Sequence, residues 1–445
     1  MTSENIPGPT STPSPGDTVT EGPTPATPLP RLIGVMASSM IGAYIALLTP
    51  IQILLTLHLT RICPDTSGAE AAFGLVTGMG ALLALVCNPL GGRISDRTAA
   101  RFGRRRTWIL TGGLSGCLVL TAMAWTTQVW QVALVWCAVQ ALLNFQQAAT
   151  SALLADQVPY KRRGTVSGFI GLAAAVGPLL GMTAVSLVAD PVTQWLVVAG
   201  AGALLVVIAV ILLRDPQHTP PGAGGLGLKE LAKSFWLNPR KHPAFGWAWL
   251  VRFLITCAYA SGTYNAFFLM ERFGVSETEV AAVVLSLSLL TVGLLALASA
   301  VSGVISDKIG RQKPFVVAAG LTAAVALVLQ AFAPSIAVVY VAVGLLGAGT
   351  GLFFAIDAAL CVRTLPSAED TGKDLAVINM ANTIPQSLVP FMAPALLALG
   401  GFNALYITLA LFGVAGAFCV RRLPDLGQEG DPRFAPITRP ERTQS

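Results

Sequence analysis

Twelve long apolar runs, separated by short polar stretches, leave this 445-residue chain few ways to fold. They lie near residues 33–56, 71–91, 107–125, 129–154, 166–188, 192–213, 244–270, 279–303, 314–332, 335–361, 376–399 and 402–420. At about 1.5 Å per residue, each is long enough to cross roughly 30 Å of hydrocarbon. Lipid offers the backbone no hydrogen bonds, so every run has to be helical. Only 11% of the residues are charged, against about a quarter in an ordinary soluble domain. The expected fold class is an all-α integral membrane protein of twelve transmembrane helices in two six-helix bundles.

A charged loop recurs once per half. Gly92-Arg-Ile-Ser-Asp96-Arg97-Thr-Ala-Ala-Arg101-Phe-Gly103-Arg104-Arg105-Arg106 holds six arginines and one acid in fifteen residues. A shorter version, Gly303-Val-Ile-Ser-Asp307-Lys308-Ile-Gly310-Arg311-Gln-Lys313, follows 211 residues later. The fourth and tenth runs also end in similar segments, Ala152-Leu-Leu-Ala-Asp156-Gln-Val-Pro159 and Ala359-Leu-Cys-Val-Arg363-Thr-Leu-Pro366. These echoes predict two parallel six-helix repeats with a solute site between them, near the membrane midplane.

The expected order is a tail at 1–31, a bundle over 32–213, a polar connector at 214–243, a bundle over 244–422 and a tail at 423–445. The first tail carries eight prolines in thirty residues and is too polar to order itself. The first run lacks a basic flank and a small-residue cleavage site, and it is too long for a signal core, so it reads as a retained helix. The connecting loops on one side, with both tails, hold 25 of the 28 basic residues. Arg61 and Arg272 fall on the other side, and Arg252 lies within a run. That asymmetry places the basic side, with both termini, in the cytoplasm of a plasma (inner) membrane. The net charge of +6 punctuates apolar runs and forms no stripe, so no nucleic-acid partner is expected. The expected partners are the lipid bilayer and a small-molecule solute, and the expected state is a monomer. The seven cysteines form no CxxC pair and no metal spacing, and read as small core hydrophobes.

The pattern Gly-x-x-x-Asp-Arg/Lys followed by Gly-x-Arg/Lys-Arg/Lys, at 92–106 and again at 303–313, resembles the loop signature of the major facilitator superfamily. The likeness covers residues 32–422 and implies that superfamily's fold. The insertion between Asp96 and Gly103, with Asn144-x-x-Gln147 ahead of Ala152-Leu-Leu-Ala-Asp156, is similar to the sucrose–proton symporters and their glycoside–pentoside–hexuronide relatives. That resemblance implies a cation-coupled sugar carrier. Where sucrose symporters place a fourth-helix carboxylate, this chain has Gln140, and its fifth run has no charge. Gly177-Pro178-Leu-Leu-Gly181 partly resembles the fifth-helix signature of proton antiporters that export drugs, which implies the opposite direction.

Three sets of residues are candidates for mechanism. A latch on the basic side would use Asp96, Arg97, Arg101, Arg104 and Asp156 in one half, and Asp307, Lys308 and Arg311 in the other. An acid there meets a helix N-terminus of the opposite half, and nearby arginines reach Asp156. For ion coupling, Asp357 is the one acid clearly inside an apolar run, and Arg252 the one intramembrane cation. Asp357 either carries a coupling ion or pairs with a basic loop residue, and Arg252 either meets solute, pairs with an acid or snorkels. Solute binding calls for uncharged polar groups: Gln52, Asn144, Gln147, Tyr259, Tyr264, Asn265, Asn379, Asn382 and Gln386. The last three share one helix face, beside Pro385, Pro390 and Pro394, which weaken that helix's ladder.

The sequence carries no P-loop, no HExxH and no Ser/His/Asp constellation, so no enzyme is expected. No cofactor is expected either; energy comes from a proton or sodium gradient, or from the solute's own. The primary reading is a secondary transporter of a sugar or similar polar solute. The alternative is a proton-driven exporter of a drug or hydrophobic metabolite.

Overall fold

A computed structural model describes residues 27–159, 162–215, 243–309, 313–363 and 371–423. Among these residues every regular element is helical. The spans are α1 (Leu29–Ile62), α2 (Thr66–Arg97), α3 (Arg104–Trp125), α4 (Val129–Gln157), α5 (Arg163–Ser186), α6 (Pro191–Leu212), α7 (Pro243–Phe273), α8 (Glu277–Ile309), α9 (Lys313–Ala331) and α10 (Ile336–Arg363). One further helical stretch, Thr371–Cys419, has 49 residues. Straight, it would be about 74 Å long, more than twice a bilayer core. It turns back at Gly400–Gly401, and Gly401 has φ 62°, a left-handed geometry that suits glycine. We label its parts α11 (371–399) and α12 (402–422). Eleven apolar helices therefore make twelve spans.

Several helices start earlier than the apolar runs suggest. α1 begins at Leu29, α2 at Thr66 and α11 at Thr371. The extra turns are polar, and they continue the backbone ladder past the hydrocarbon edge, where hydropathy gives no signal. The change at α2 matters, because it brings Glu70 into a helix. Residues 1–26 and 424–445 of the two expected tails, and most of the connector, 216–242, lie outside the described residues.

The two halves repeat one packing scheme. α1 packs on α5 and α6, α2 on α4, and α3 on α4 and α6; likewise α8 packs on α10, and α9 on α10 and α12. Small residues allow this closeness where no hydrophobic effect drives helix association. A Cβ added at Gly351 of α10 would sit 2.2 Å from the Leu295 carbonyl oxygen of α8. The fifth-helix motif serves the same end: a Cβ at Gly181 would sit 2.0 Å from Thr49 Oγ1 of α1.

Proline sets where the ladder breaks. Pro50 cannot donate to Ala46, and α1 loosens into a π turn over Pro50–Leu54. The 211-residue offset carries Pro50 to Ser261, inside the tight 3₁₀ turn Ala260–Tyr264 that interrupts α7. The two interruptions pack against each other across the boundary between the halves. In α11, Pro394 deprives the Pro390 carbonyl of its helical donor, and the Tyr264 hydroxyl donates to it instead at 3.1 Å.

The halves meet mainly where α2 faces α11 and α5 faces α8. On the face opposite the basic loops, here the far face, these contacts are tight. Phe73 of α2 stacks edge-on against Tyr264 and Phe267 of α7, at 5.2 and 5.5 Å between ring centres. Arg61 Nε lies 3.0 Å from Glu277 Oε2, tying α1 to α8. Toward the basic face α5 opens: a Cβ at Gly168 or Gly171 would meet nothing within 4 Å. The halves are sealed together at the far face.

Gly74 tests this seal. Its added Cβ would lie 2.4 Å from Pro394 Cγ and 2.5 Å from the Pro390 carbonyl oxygen. Gly74→Ala is expected to cost about 1–3 kcal/mol by overpacking. Gly34→Ala, with open space around it, is expected to be neutral or to stabilise by about 0.5–1 kcal/mol. Thermal unfolding of the two variants in detergent checks the contrast.

Candidate translocation pathway and gates

The basic-face loop is organised by Arg105, which is 3% exposed. Its guanidinium pairs with Asp96, donates from Nε to Asp156 Oδ2 at 2.8 Å and from Nη1 to Ser95 Oγ at 2.8 Å. Arg104 Nη2 reaches the same Asp156 oxygen at 3.0 Å. The planar fork of arginine lets one cation tie the end of α2 to the end of α4. Asp215, just past α6, accepts from the backbone N–H groups of Arg105 and Arg106 at 2.7 and 3.0 Å. An acid at the start of α3 is favoured by the helix dipole. Gly103, with φ 94°, makes room for it, since a Cβ there would sit 2.4 Å from the Asp215 carboxylate.

Thus Asp96, Arg104 and Asp156 come together as expected, through an arginine the sequence reading did not single out. Among the described residues these ion pairs lie within one half. Arg97 and Arg101 are exposed on the same loop. Asp307 and Lys308 end α8; their side chains, and all of Arg311, lie outside the described residues.

The expected intramembrane charges find each other. Arg252 Nη1 of α7 lies 3.1 Å from Asp357 Oδ2 of α10, and Asp357 is 3% exposed. The offset of 211 carries Gln146 of α4 to Asp357. Gln146 is fully buried and donates from Nε2 to the Ser39 carbonyl of α1 at 2.8 Å. One joint recurs in both halves, neutral in the first and charged in the second.

A second acid is buried in a helix that extends beyond its apolar run. Glu70, in the first turns of α2, is 6% exposed, and its Oε1 has no hydrogen-bond partner among the described residues. It was missed because the apolar run starts one residue later.

The expected solute residues divide. Four spend their polar atoms inside the protein. Asn144 donates to the Gln140 carbonyl at 2.8 Å and accepts from Asn88 of α2 at 3.3 Å. Tyr259 donates to the Ala319 carbonyl at 3.0 Å, Tyr264 to that of Pro390, and Asn265 accepts from Gln330 at 2.9 Å. In this conformation these groups are paired within the protein, as buried polar groups require. Gln52, in the π turn, and Asn382 of α11 differ. Each buries its amide oxygen without a hydrogen-bond partner among the described residues. Gln386 is exposed, Gln147 half-buried, and the side chain of Asn379 lies outside the described residues.

Comparison with known proteins agrees with this architecture. The family model described as Major Facilitator Superfamily matches residues 32–296 and 261–443. The chain belongs to the major facilitator superfamily. It is a membrane transporter by family, and no enzyme. Solved superfamily members superpose over most of their length. A nucleoside transporter, NupG, has TM-score 0.67 at 15% identity, covering 87% of this chain and 99% of that one. A D-xylose–proton symporter has TM-score 0.64 at 17% identity, covering 89% and 97%. An inward-facing, occupied bacterial homologue of the human lysosomal transporter Spinster has TM-score 0.63 at 14% identity, covering 89% and 96%. At these identities the likeness is one of fold. Multidrug resistance protein MdtG of Dickeya zeae (strain Ech586) is 32% identical over 108 residues, 24% of this chain and 25% of that protein. The chain thus matches about a quarter of that relative's length.

Arg105 and Gln146 were both legible. Arg105 sits in a quoted run, and the repeat offset maps Gln146 onto Asp357. Removing Arg105 leaves Asp96 without its pair and Asp156 with Arg104 alone, so Arg105→Ala is expected to destabilise the superfamily fold by about 1–3 kcal/mol. Arg105→Lys should recover only part of that, because a point charge cannot bridge Asp96, Asp156 and Ser95 together. Arg106→Ala should stay within about 0.5 kcal/mol. Thermal unfolding of the purified variants measures all three.

Proposed function

We propose that the chain is a secondary active transporter that moves a small polar solute, of the sugar type, by alternating access and with proton coupling. The observation that carries this reading is the pair of buried, unsatisfied amide oxygens on Gln52 and Asn382. A buried acceptor left unpaired costs about 1–3 kcal/mol. A solute rich in hydroxyl donors removes that cost when it binds. Gln147, Gln386 and Asn379 complete the polar set.

The basic face is the cytoplasmic one, with both termini, in the plasma membrane, as the distribution of Lys and Arg supports. The conformation closed at the far face is then inward-facing. In the opposite state Asp96 and Asp307 latch the cytoplasmic side against the facing half. The coupling proton is carried by Asp357, whose protonation releases Arg252. The polypeptide works as a monomer.

A second reading rests on the partial match to MdtG and on Gly177-Pro178-Leu-Leu-Gly181: proton-driven export of a hydrophobic compound. Proteoliposomes separate the two. The sugar reading expects internal acidification on adding sucrose or maltose, lost in Asp357→Asn. The export reading expects extrusion of a lipophilic dye driven by a proton gradient and indifferent to sugars. Because Asp357→Asn leaves Arg252 without its charge partner, Arg252→Met with Asp357→Leu is the necessary companion; an apolar pair of similar volume is tolerated. Concentrative uptake that survives in this double variant would reject Asp357 as the coupling group.

A further inference from the structure

The second half carries an apolar groove on its surface. Leu294, Leu297, Val301 and Ile305 recur at helical spacing on α8 and form one wall. Leu352 of α10 lines it as well, and Phe315, in the first turn of α9, lines its basic-face end. The groove measures about 330 Å³. Its one polar side chain, Ser302, is buried and donates to the Ser299 carbonyl at 3.2 Å. The walls therefore offer an occupant apolar contact alone.

Its position is on the outer side of the bundle. The halves meet through α2, α5, α8 and α11, whereas α9 packs on α10 and α12 of its own half. A groove bounded by α9 thus faces lipid. Leu297, Val301 and Ile305 at its rim are exposed. From Leu294 to Ile305, α8 rises about 16 Å, close to half of a roughly 30 Å hydrocarbon core. The groove therefore spans one leaflet, the one at the basic face. In the first half rings fill the matching place. Trp108 follows Gly103 of the charged loop by five residues, as Phe315 follows Gly310. Trp108 stacks on Phe145 of α4 with ring centres 5.4 Å apart. Gly91 of α2 lets Phe145 approach, since a Cβ there would sit 2.9 Å from the Phe145 Cα. In the second half Phe315, the smaller ring, lines the groove with Leu352.

We infer that this groove holds one acyl chain of an anionic phospholipid from the basic-face leaflet, as a fixed part of the second half. Bilayer chains are as apolar as the groove, so packing is what retains the chain. It supplies the dispersion contacts that the walls lack on their open side. The headgroup then lies level with the start of α9, where the Lys313 ammonium sits 2.7 Å from the Leu423 carbonyl. Cations at the membrane surface favour an anionic headgroup over a zwitterionic one. A free lipophilic compound would match the walls and gain nothing from that charge; a phospholipid meets both. The chain touches α8, α9 and α10 together, so it braces the basic-face end of α8 against the other two.

Its test needs no transported solute, so it stands apart from the sugar and export readings. Native mass spectrometry of the full-length protein, delipidated in mild detergent, counts the lipids bound after adding phosphatidylglycerol or phosphatidylcholine with the same chains. Phe315→Trp with Leu352→Phe copies the ring pair of the first half into the groove. Wild type should bind one phosphatidylglycerol more than this filled variant. It should favour phosphatidylglycerol over phosphatidylcholine by about fivefold, the share of a single lysine. Val301→Trp, at an exposed rim position, fills the groove from outside and is the second variant should the first fold poorly. Lys313→Gln should keep the lipid and lose the preference. Equal lipid counts in wild type and a folded filled variant would overturn the inference. So would equal binding of the two lipids by wild type, or a lipophilic dye that displaces the phospholipid.

Discussion

A peptide carbonyl inside a bilayer must find a donor, and this protein is built around the places where the helix cannot provide one. Three prolines in α11 and one in α1 remove donors from the ladder. In α1 the backbone answers by widening into a π turn. In α11 a side chain answers, as Tyr264 gives its hydroxyl to Pro390. Both repairs lie along the boundary between the halves, and each fixes something functional beside it. The π turn carries Gln52; the Tyr264 ring packs on Phe73 of the other half.

On this common frame the halves differ in charge. The same joint between first and fourth helices is a glutamine–serine contact in one bundle and an aspartate–arginine pair in the other. The backbone scheme repeats while the chemistry placed on it does not. A buried pair whose partners both stay in one half does not resist opening; a pair that spans the halves does. Arg61–Glu277 belongs to the second kind, whereas Arg252–Asp357 and the Arg105 cluster belong to the first.

The span count and the two bundles could be read from residues alone, because apolar run length and repeated loops follow directly from the solvent. Arg252 meeting Asp357 was among the readings left open. The fate of the polar side chains was harder to read. Asn144, Tyr259 and Asn265 look like solute ligands in a list of intramembrane polar residues, yet their bonds go to carbonyls and amides of neighbouring helices. Which way a side chain turns depends on packing across helices far apart in sequence. Glu70 escaped for a different reason. A helix can begin before its apolar run does, so hydropathy cut it off by a single residue.

The bond from Asp215 to the head of α3 fastens the chain leaving the first bundle to the turn that carries Arg105. Beside it, the Arg214 carbonyl accepts from Thr27 Oγ1 and Gln157 Nε2, so the exit of the first bundle is held to its entry, to the end of α4 and to the arginine turn at once.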